Sequence, residues 1–428
     1  MRVVLASAGS TGDIAPFTGV AAELRQRGHQ VVMTAQEDVA GLVTAAGVEC
    51  AVIPGRARVV QDHTPGRGVV GQLQSLGWLA EMGRRYAEPT ARALYDIVDG
   101  ADVILFSPLM LLGLHIAEAK RIPSLGLYLQ PLLPTRAYPP SMLGLPSLGG
   151  PLNRMVGEWF VDAAPRQYWP LVRTLRSESG LPPLRGPRQH RLETLRRGWP
   201  ALQGWSRHVV PPAPDQGSNV RTVGYCWPST GASWTPPSEL ESYLAEGPAP
   251  VVVGFGSAPV GDPVALRDTV LAAARRAGLR LVIQAGWAEL GEVGRHSDDV
   301  YVSGYVPHEW LLPRAAALVH ACGAGTTAAA LRAGIPAVAV PVMMDQPFWA
   351  RRLYELGVSP RPLSITGLTG DGLYDAFRTV TSDAGYLVRA QALAAQIATE
   401  DGNGSVADAV EQVGNAGWSD SMGTRARS

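Results

Sequence analysis

The sequence predicts an α/β chain built as two successive parallel-sheet halves, and three observations carry that reading. Short apolar runs without alternation, such as Val3-Val4-Leu5-Ala6 and Val251-Val252-Val253-Gly254, occur in both halves and suit strands covered on both faces. Stretches of helical period follow them after glycine-rich turns. Between the two series, Val209 to Pro237 is rich in Pro, Gly and Ser, with Pro-Pro pairs at 211 and 236. The 428 residues suit two or three domains at about 150 residues each. Two Rossmann-like β/α/β domains facing across a cleft are expected, with ligands at the carboxyl ends of the strands.

The first strand, Val3 to Ala6, runs into the turn Gly9-Ser10-Thr11-Gly12-Asp13. Ile14, Phe17, Val20, Ala21 and Leu24 then recur at helical spacing as far as Arg27-Gly28, and Gln30 to Met33 reads as the next strand. Asp102 to Phe106, Leu111 to Lys120 and Ser124 to Tyr128 repeat strand, helix, strand. From Gln130 to Pro200 the pattern loosens. Tyr138, Trp159, Phe160, Tyr168 and Trp169 suggest helices and loops around a cleft, and each of them either lines it for an apolar acceptor or packs in the core. The second half starts at Val251 to Phe255, continues with a helix at Pro263 to Ala277 and strands at Arg280 to Gln284 and Ala316 to His320, and then has a glycine turn. A helix at Ala328 to Ala333 and a strand at Val338 to Pro341 follow. The predicted domains are 1–215, a linker at 216–240, 241–414 with terminal helices, and a flexible tail at 415–428.

Composition removes several classes of function. The 37 basic and 37 acidic residues cancel, so no polycationic field exists to hold nucleic acid or an acidic membrane. Lysine occurs once, at Lys120, and no G-x-x-x-x-G-K-[ST] phosphate loop is present. Cys50, Cys226 and Cys322 lack C-x-x-C spacing, which fits a reducing compartment and neither a disulfide framework nor a cysteine zinc site. The apolar start is too short for a secretory h-region, and the long apolar tract Ala315 to Met344 is punctuated by His320, Arg332, glycines and prolines. A cytoplasmic protein without integral membrane contact is expected. The eight histidines show no metal-ligand spacing, and no G-x-S-x-G occurs.

The sharpest local chemistry lies between Ala316 and Asp345. A buried strand enters Gly323-Ala324-Gly325-Thr326-Thr327 and then a helix, where open amides and the helix dipole suit a diphosphate. The same residues can form an ordinary strand-to-helix turn with a threonine cap. Gly323-x-Gly325-x-x-Ala328 also fits the dinucleotide fingerprint, with Asp345 placed to take a ribose hydroxyl, so an NAD-dependent oxidoreductase is an alternative. Asp345 and Gln346 can grip neighbouring hydroxyls of a sugar, or Asp345 can cap the helix after it. Asp13 likewise has two readings. As a helix cap, its amide bonds lower its pKa; as a carboxylate facing a dry pocket, desolvation raises the pKa and suits it to accept a hydroxyl proton.

At these residues the chain resembles the nucleotide-sugar-dependent glycosyltransferases of family 1 with the GT-B fold, particularly those that glycosylate antibiotic aglycones and sterols. Five segments carry the likeness in order: Gly9 to Phe17, Gly254 to Ser257, Tyr305 to Trp310, Gly323 to Thr327 and Asp345 to Trp349. The resemblance implies an acceptor-binding first half, with Ser10, Thr11 and Gly12 on the acceptor side and Asp13 as the base. It implies a second half that binds a UDP- or dTDP-sugar. Tyr305 would stack on the base, Val306 would offer it backbone contacts, Ser257, Gly323, Gly325, Thr326 and Thr327 would serve the phosphates, and Asp345 and Gln346 would hold the sugar. His320 is included among the donor-site residues. Relatives of this kind invert the anomeric configuration without a bound metal or other cofactor.

Two positions depart from the family pattern. Relatives often read His-His-Gly-Gly-Ala-Gly-Thr-Thr where this chain has His320-Ala321-Cys322-Gly323-Ala324-Gly325-Thr326-Thr327, so the second histidine, usually at the diphosphate, is Ala321. His320, one position earlier on a strand, is expected to point to the opposite face. Thr11 stands where many relatives carry Arg. The missing histidine leaves room for a slow enzyme, a changed donor or a homologue that binds nucleotide or aglycone without turnover, and Thr11 for an altered acceptor or phosphate side of the cleft.

Overall fold

The computed structural model describes residues 1–63, 68–229, 234–287 and 289–421. Seven strands, β1 Arg2–Ala6, β2 Gln30–Gln36, β3 Glu49–Ile53, β4 Val103–Phe106, β5 Ser124–Tyr128, β6 Ala201–Gln203 and β7 Val220–Thr222, form one sheet in the order β3-β2-β1-β4-β5-β6-β7. All its pairings are parallel. Six more, β8 Val251–Gly254, β9 Leu281–Gln284, β10 Gly294–Ser297, β11 Val300–Ser303, β12 Ala317–His320 and β13 Ala337–Ala339, form a second sheet in the order β10-β11-β9-β8-β12-β13. Only its edge pair β10-β11 is antiparallel. These are two Rossmann-like halves.

Side-chain alternation explains why the central strands read as unbroken apolar runs. On β1, Val4 and Ala6 enter the core on one face of the sheet while Val3 and Leu5 enter the core on the other. Val251 and Val253 divide from Val252 in the same way on β8. Covered on both sides, Val3 to Ala6 and Val251 to Val253 leave no position for a polar residue. The polar strand β10 follows the opposite logic: it lies at an edge, with Arg295, His296 and Ser297 exposed.

Helices begin close to where the sequence puts them. Thr11–Gln26 starts three residues earlier than the apolar period, and Pro263–Ala277 matches, with Asp262 accepting from Val264 N and Ala265 N as its cap and Gly278 closing it at φ +65°. The helix after the glycine turn begins at Ala324 rather than Ala328, because Gly325 and Thr326 are already inside it.

The domain boundaries need correction at both ends of the second half. β7 falls inside the segment expected to be linker. Its residues pair with β6 in the register Ala201↔Val220, Leu202↔Arg221 and Gln203↔Thr222, and Val223 and Cys226 continue into the first half's core. The proline pairs at 211 and 236 flank this strand instead of marking one boundary. The last helix, Gly402–Ser421, returns to the first half: Val406, Ala407, Val410 and Val413 are buried in that half's core. Arg27 fixes it through Asp408 at 2.6 Å and Glu411 at 3.2 Å, and His29 pairs with Glu411 at 2.8 Å. The helix also continues through the start of the expected tail, with a kink at Gly417 (φ +69°); residues 422–428 lie outside the described residues. Among the described residues, no helix is long and apolar enough to cross a membrane.

Candidate active site between the two halves

In each sheet the strand order reverses direction beside the first strand of the half, between β1 and β4 and between β8 and β12. Loops leaving the carboxyl ends of strands at such a point diverge and leave a crevice. Both crevices open into one cavity of about 1390 Å³, lined from the first half by Gly9 to Asp13 and from the second by Gly254 to Ser257, Gly323 to Thr326 and Met343 to Gln346. Ser10, Thr11 and Gly12 all line it, as do Ser257, Tyr305, Val306, Gly323, Gly325, Thr326, Asp345 and Gln346.

Asp13 lies in the first turn of helix Thr11–Gln26. Its Oδ2 accepts from Ser10 N at 2.9 Å and Ser10 Oγ at 3.0 Å, the reverse arm of a capping box. Its Oδ1 accepts a long bond from Gln130 Nε2 at 3.3 Å, and Asp13 and Gln130 both line the cavity. The capping bonds thus fall on Oδ2, while Oδ1 meets Gln130. Burial outweighs these hydrogen bonds and raises the pKa above the ordinary carboxylate value.

Across the cavity, Gly323 is the N-cap of helix Ala324–Ala333, and no side chain caps it. The amides of its first turn therefore remain open to an anion. A Cβ built on Gly323 or Gly325 would meet nothing within 4 Å, so the space in front of this turn belongs to the cavity. Cys322, just before it, has φ +63°, and Met344, just before Asp345, has φ +57°. Two non-glycine residues in the left-handed region, both beside the cavity, store backbone strain where the ligand-facing turns leave the sheet.

Asp345 holds the N-cap position of helix Gln346–Glu355, but its side chain does not cap. Its Oδ2 accepts from the indole Nε1 of Trp349 at 2.7 Å. Burial drives its pKa up to about 7, the Trp349 bond opposes this, and the negative charge of Asp13 across the cavity raises it further. Gln346 uses Oε1 to accept from Val342 N and Met343 N at 2.8 and 2.9 Å. That bonding shapes the turn before Asp345 and leaves the amide Nε2 as the donor Gln346 can offer a ligand.

The far end of the cavity carries the exposed aromatic Tyr305, 69% accessible, which is no core residue. Beside it the Val306 carbonyl accepts from Gln284 Nε2 at 3.4 Å, while Gln284 Oε1 meets His308 Nε2 at 3.2 Å. Burial lowers the His308 pKa to about 4, so the ring is neutral at pH 7. Trp287, carried on the turn after β9, lies under the Arg58 guanidinium of the first half at 5.3 Å. Sequence patterns gave no reason to select Gln284, Trp287 or Arg58. Each is a single polar or aromatic residue without a motif around it, Gln284 at the end of β9, Trp287 on the turn after it and Arg58 in a 3-10 turn of the first half.

Two expected donor-site residues do not face the cavity. His320, at the end of β12, is fully buried; its Nδ1 accepts from Cys322 N at 3.2 Å and its Nε2 finds no partner among the described residues. Burial, with His308 adding, lowers its pKa to about 3. Strand alternation sends it behind the sheet, as the sequence suggested, while Ala321 lines the cavity. Thr327 is fully buried with an unpartnered Oγ1, one position past Thr326 and on the inner side of the helix.

On the first-half side the wall is apolar. Trp78, Met110, Met142, Trp159, Phe160 and Tyr168 line it. Of the other aromatics singled out in the sequence, Tyr138 packs edge-on against Phe348 and Trp169 is buried beside His115.

Comparison with known proteins bears on this arrangement. Residues 3–139 match the glycosyltransferase family 28 N-terminal domain, and residues 268–413 match the erythromycin biosynthesis protein CIII-like C-terminal domain. The O-mycaminosyltylonolide 6-deoxyallosyltransferase of Streptomyces fradiae is 32% identical over 417 residues, covering 94% of this chain and 95% of that protein. The sterol 3-beta-glucosyltransferase UGT80A2 of Arabidopsis thaliana is 30% identical over 417 residues, covering 94% of this chain but only 64% of its own length. The chain therefore spans less than two thirds of that relative. The glycosyltransferase SsfS6 of Streptomyces sp. SF2575, solved with thymidine diphosphate, superposes with a TM-score of 0.66 at 20% identity, covering 96% of this chain and 99% of that one. With its two facing sheets and its ordered motifs, the chain belongs to the nucleotide-sugar-dependent glycosyltransferases of family 1 that share the GT-B fold.

Proposed function

We propose that the protein transfers a sugar, with inversion, from a UDP- or dTDP-sugar to a hydroxyl of an apolar small molecule such as a natural-product aglycone or a sterol. Asp13 takes the hydroxyl proton through Oδ1. The acceptor oxygen attacks the anomeric carbon as that carbon's bond to the diphosphate oxygen breaks, and the nucleoside diphosphate leaves with the bonding electron pair. Its growing charge meets the open amides at Gly323 to Thr326, with Ser257 and Thr326 at the phosphates, so the step needs no metal. Tyr305 stacks on the base, and Asp345 and Gln346 hold the sugar. One observation carries the reading: Asp13 and the uncapped helix at Ala324 line the same cavity, with Asp345 near enough to feel the charge of Asp13.

The direct test offers a panel of UDP- and dTDP-sugars with polycyclic acceptors and identifies products by mass spectrometry. Absence of glycoside from every pair would sink the proposal. A second expected result separates cradle from scaffold. Gly325→Ala leaves stability unchanged or up to about 1 kcal/mol higher, because it adds a helix former in open space. The same methyl enters the diphosphate cradle and weakens nucleotide diphosphate binding by roughly tenfold, about 1.4 kcal/mol. Calorimetric titration with UDP and dTDP, paired with thermal unfolding, checks both halves of this statement.

Ala321 favours a second reading, a homologue that binds without efficient turnover. It lines the cavity where relatives place a histidine at the diphosphate. Ala321→His is expected to raise a measurable transfer rate by roughly 5- to 150-fold, the worth of about 1–3 kcal/mol of regained hydrogen bonding. Steady-state rates of the two proteins decide, and an unchanged rate removes this contact as the limiting feature.

A further inference from the structure

The helix Gln346–Glu355 starts at the proposed sugar site and then runs against the first half, touching it in three places. In its first turn the Phe348 ring meets Tyr138 edge-on, with centroids 5.6 Å apart. Arg352 donates through Nε and Nη2 to the Val209 carbonyl at 3.0 and 2.7 Å. Arg351 Nη1 donates to the Leu145 carbonyl at 2.9 Å, and Nη2 reaches that of Gly144 at 3.4 Å.

The Arg351 contact differs from the others because its target is continuous with the cavity wall. Ser141–Leu143 forms a short 3-10 turn whose central residue, Met142, lines the apolar side of the cavity. Gly144 ends the turn at φ +63°, a conformation a β-carbon disfavours. The turn is tied to its own half by Ser141 N to Pro131 O at 2.9 Å and closed by Gly144 N to Ser141 O at 3.0 Å. Its exit carbonyls face across to Arg351. A planar guanidinium gripping two successive carbonyls fixes direction as well as distance, which a single flexible ammonium does not.

We propose that Arg351 is a positioning residue for acceptor selection: it holds the Ser141–Gly144 turn, and with it Met142, at a set offset from Asp345 and so decides which acceptor hydroxyl reaches Asp13. The inference rests on the glycosyl-transfer reading above. It assigns the second half a part in shaping the first half's pocket, through one side chain that touches neither substrate. Small errors of placement near a reacting hydroxyl have large kinetic consequences, so the device does not need large motion.

The test uses the whole chain, a polycyclic acceptor with several free hydroxyls that the wild type glycosylates, and whichever UDP- or dTDP-sugar it turns over. Arg351→Met is expected to raise the acceptor KM roughly tenfold and to change the ratio of regioisomeric glycosides, with the Kd for the nucleoside diphosphate held within about twofold. Arg351→Lys, able to restore one carbonyl bond, should recover part of the original ratio. Met142→Ala, which leaves Arg351 in place, should move the ratio as well. The proposal fails if Arg351→Met keeps the wild-type ratio and acceptor KM, or if nucleotide affinity falls in parallel with acceptor affinity, which marks general damage. A wild type that makes no glycoside from any pair overturns the functional reading itself, and the two failures are thereby told apart.

Discussion

Asp13→Asn is expected to lower kcat by about 10²- to 10⁴-fold, the usual worth of a positioned general base, while leaving nucleotide affinity and fold nearly untouched. The asparagine carbonyl can still accept from Ser10 N and Ser10 Oγ, so the start of the first helix keeps its capping bonds. What is lost is the basic oxygen Oδ1, which accepts from Gln130 in the wild type. The pH dependence of the wild type should agree. Burial raises the Asp13 pKa, so the active, ionised base is depleted as pH falls through a value above the ordinary carboxylate range. The acid limb of kcat/KM should accordingly lie above the ordinary carboxylate range, and its Asp13 component should be missing from Asp13→Asn. Steady-state kinetics from pH 4 to 8 on both proteins, with nucleotide binding measured separately, checks the statement; an unchanged kcat in the variant removes Asp13 from the chemistry.

Much of this site was legible because the chemistry sits in contiguous runs. The turn after β1, the turn after β8 and the turn after β12 each pair a buried apolar strand with glycines and hydroxyls in a few consecutive residues. Parallel strands force those turns to the same edge of each sheet, so a local pattern becomes a site without further information. Asp13 and Asp345 each carried two readings in the sequence, and both resolved through which oxygen is occupied. Asp13 caps with one oxygen and meets Gln130 with the other; Asp345 occupies a cap position yet bonds an indole four residues on. The sequence cannot decide between such readings, because the burial that raises both pKa values is set by tertiary packing.

What could not be read follows the same physics in reverse. β7 is three residues long with an exposed Arg221 at its centre, so no apolar run announces it, and only pairing with β6 makes it a strand. The return of Gly402–Ser421 to the first half depends on long-range partners, Arg27 and His29, that carry no local signature. Thr327 reads like Thr326 in a motif, yet successive helix positions are about 100° apart, and that rotation takes one hydroxyl to the cavity and the other into the core.

Asp345→Asn should separate stability from function in opposite directions. A carboxyl whose pKa is raised from 3.8 to about 7 on folding binds its proton more tightly in the native than in the unfolded chain. Its contribution to stability is therefore full below pH 3.8, declines between pH 3.8 and 7, and is lost above pH 7. A shift of this size corresponds to about 4 kcal/mol at most, and relaxation around a buried group reduces the realised value to about 1–4 kcal/mol. Asparagine at 345 can still accept the Trp349 indole bond, has no charge to desolvate, and does not repel Asp13. Relative to wild type the variant should gain stability steadily as pH rises from 4 to 8 and lose transfer activity throughout. Urea unfolding midpoints at pH 4, 6 and 8 read the first effect, and product formation the second. If the stability difference is flat across this range, Asp345 ionises normally in the folded protein. If it opens as stated, the wild type keeps an acid that costs it stability at neutral pH, as expected of a residue retained for a purpose other than stability, and the sugar-holding role proposed above supplies one.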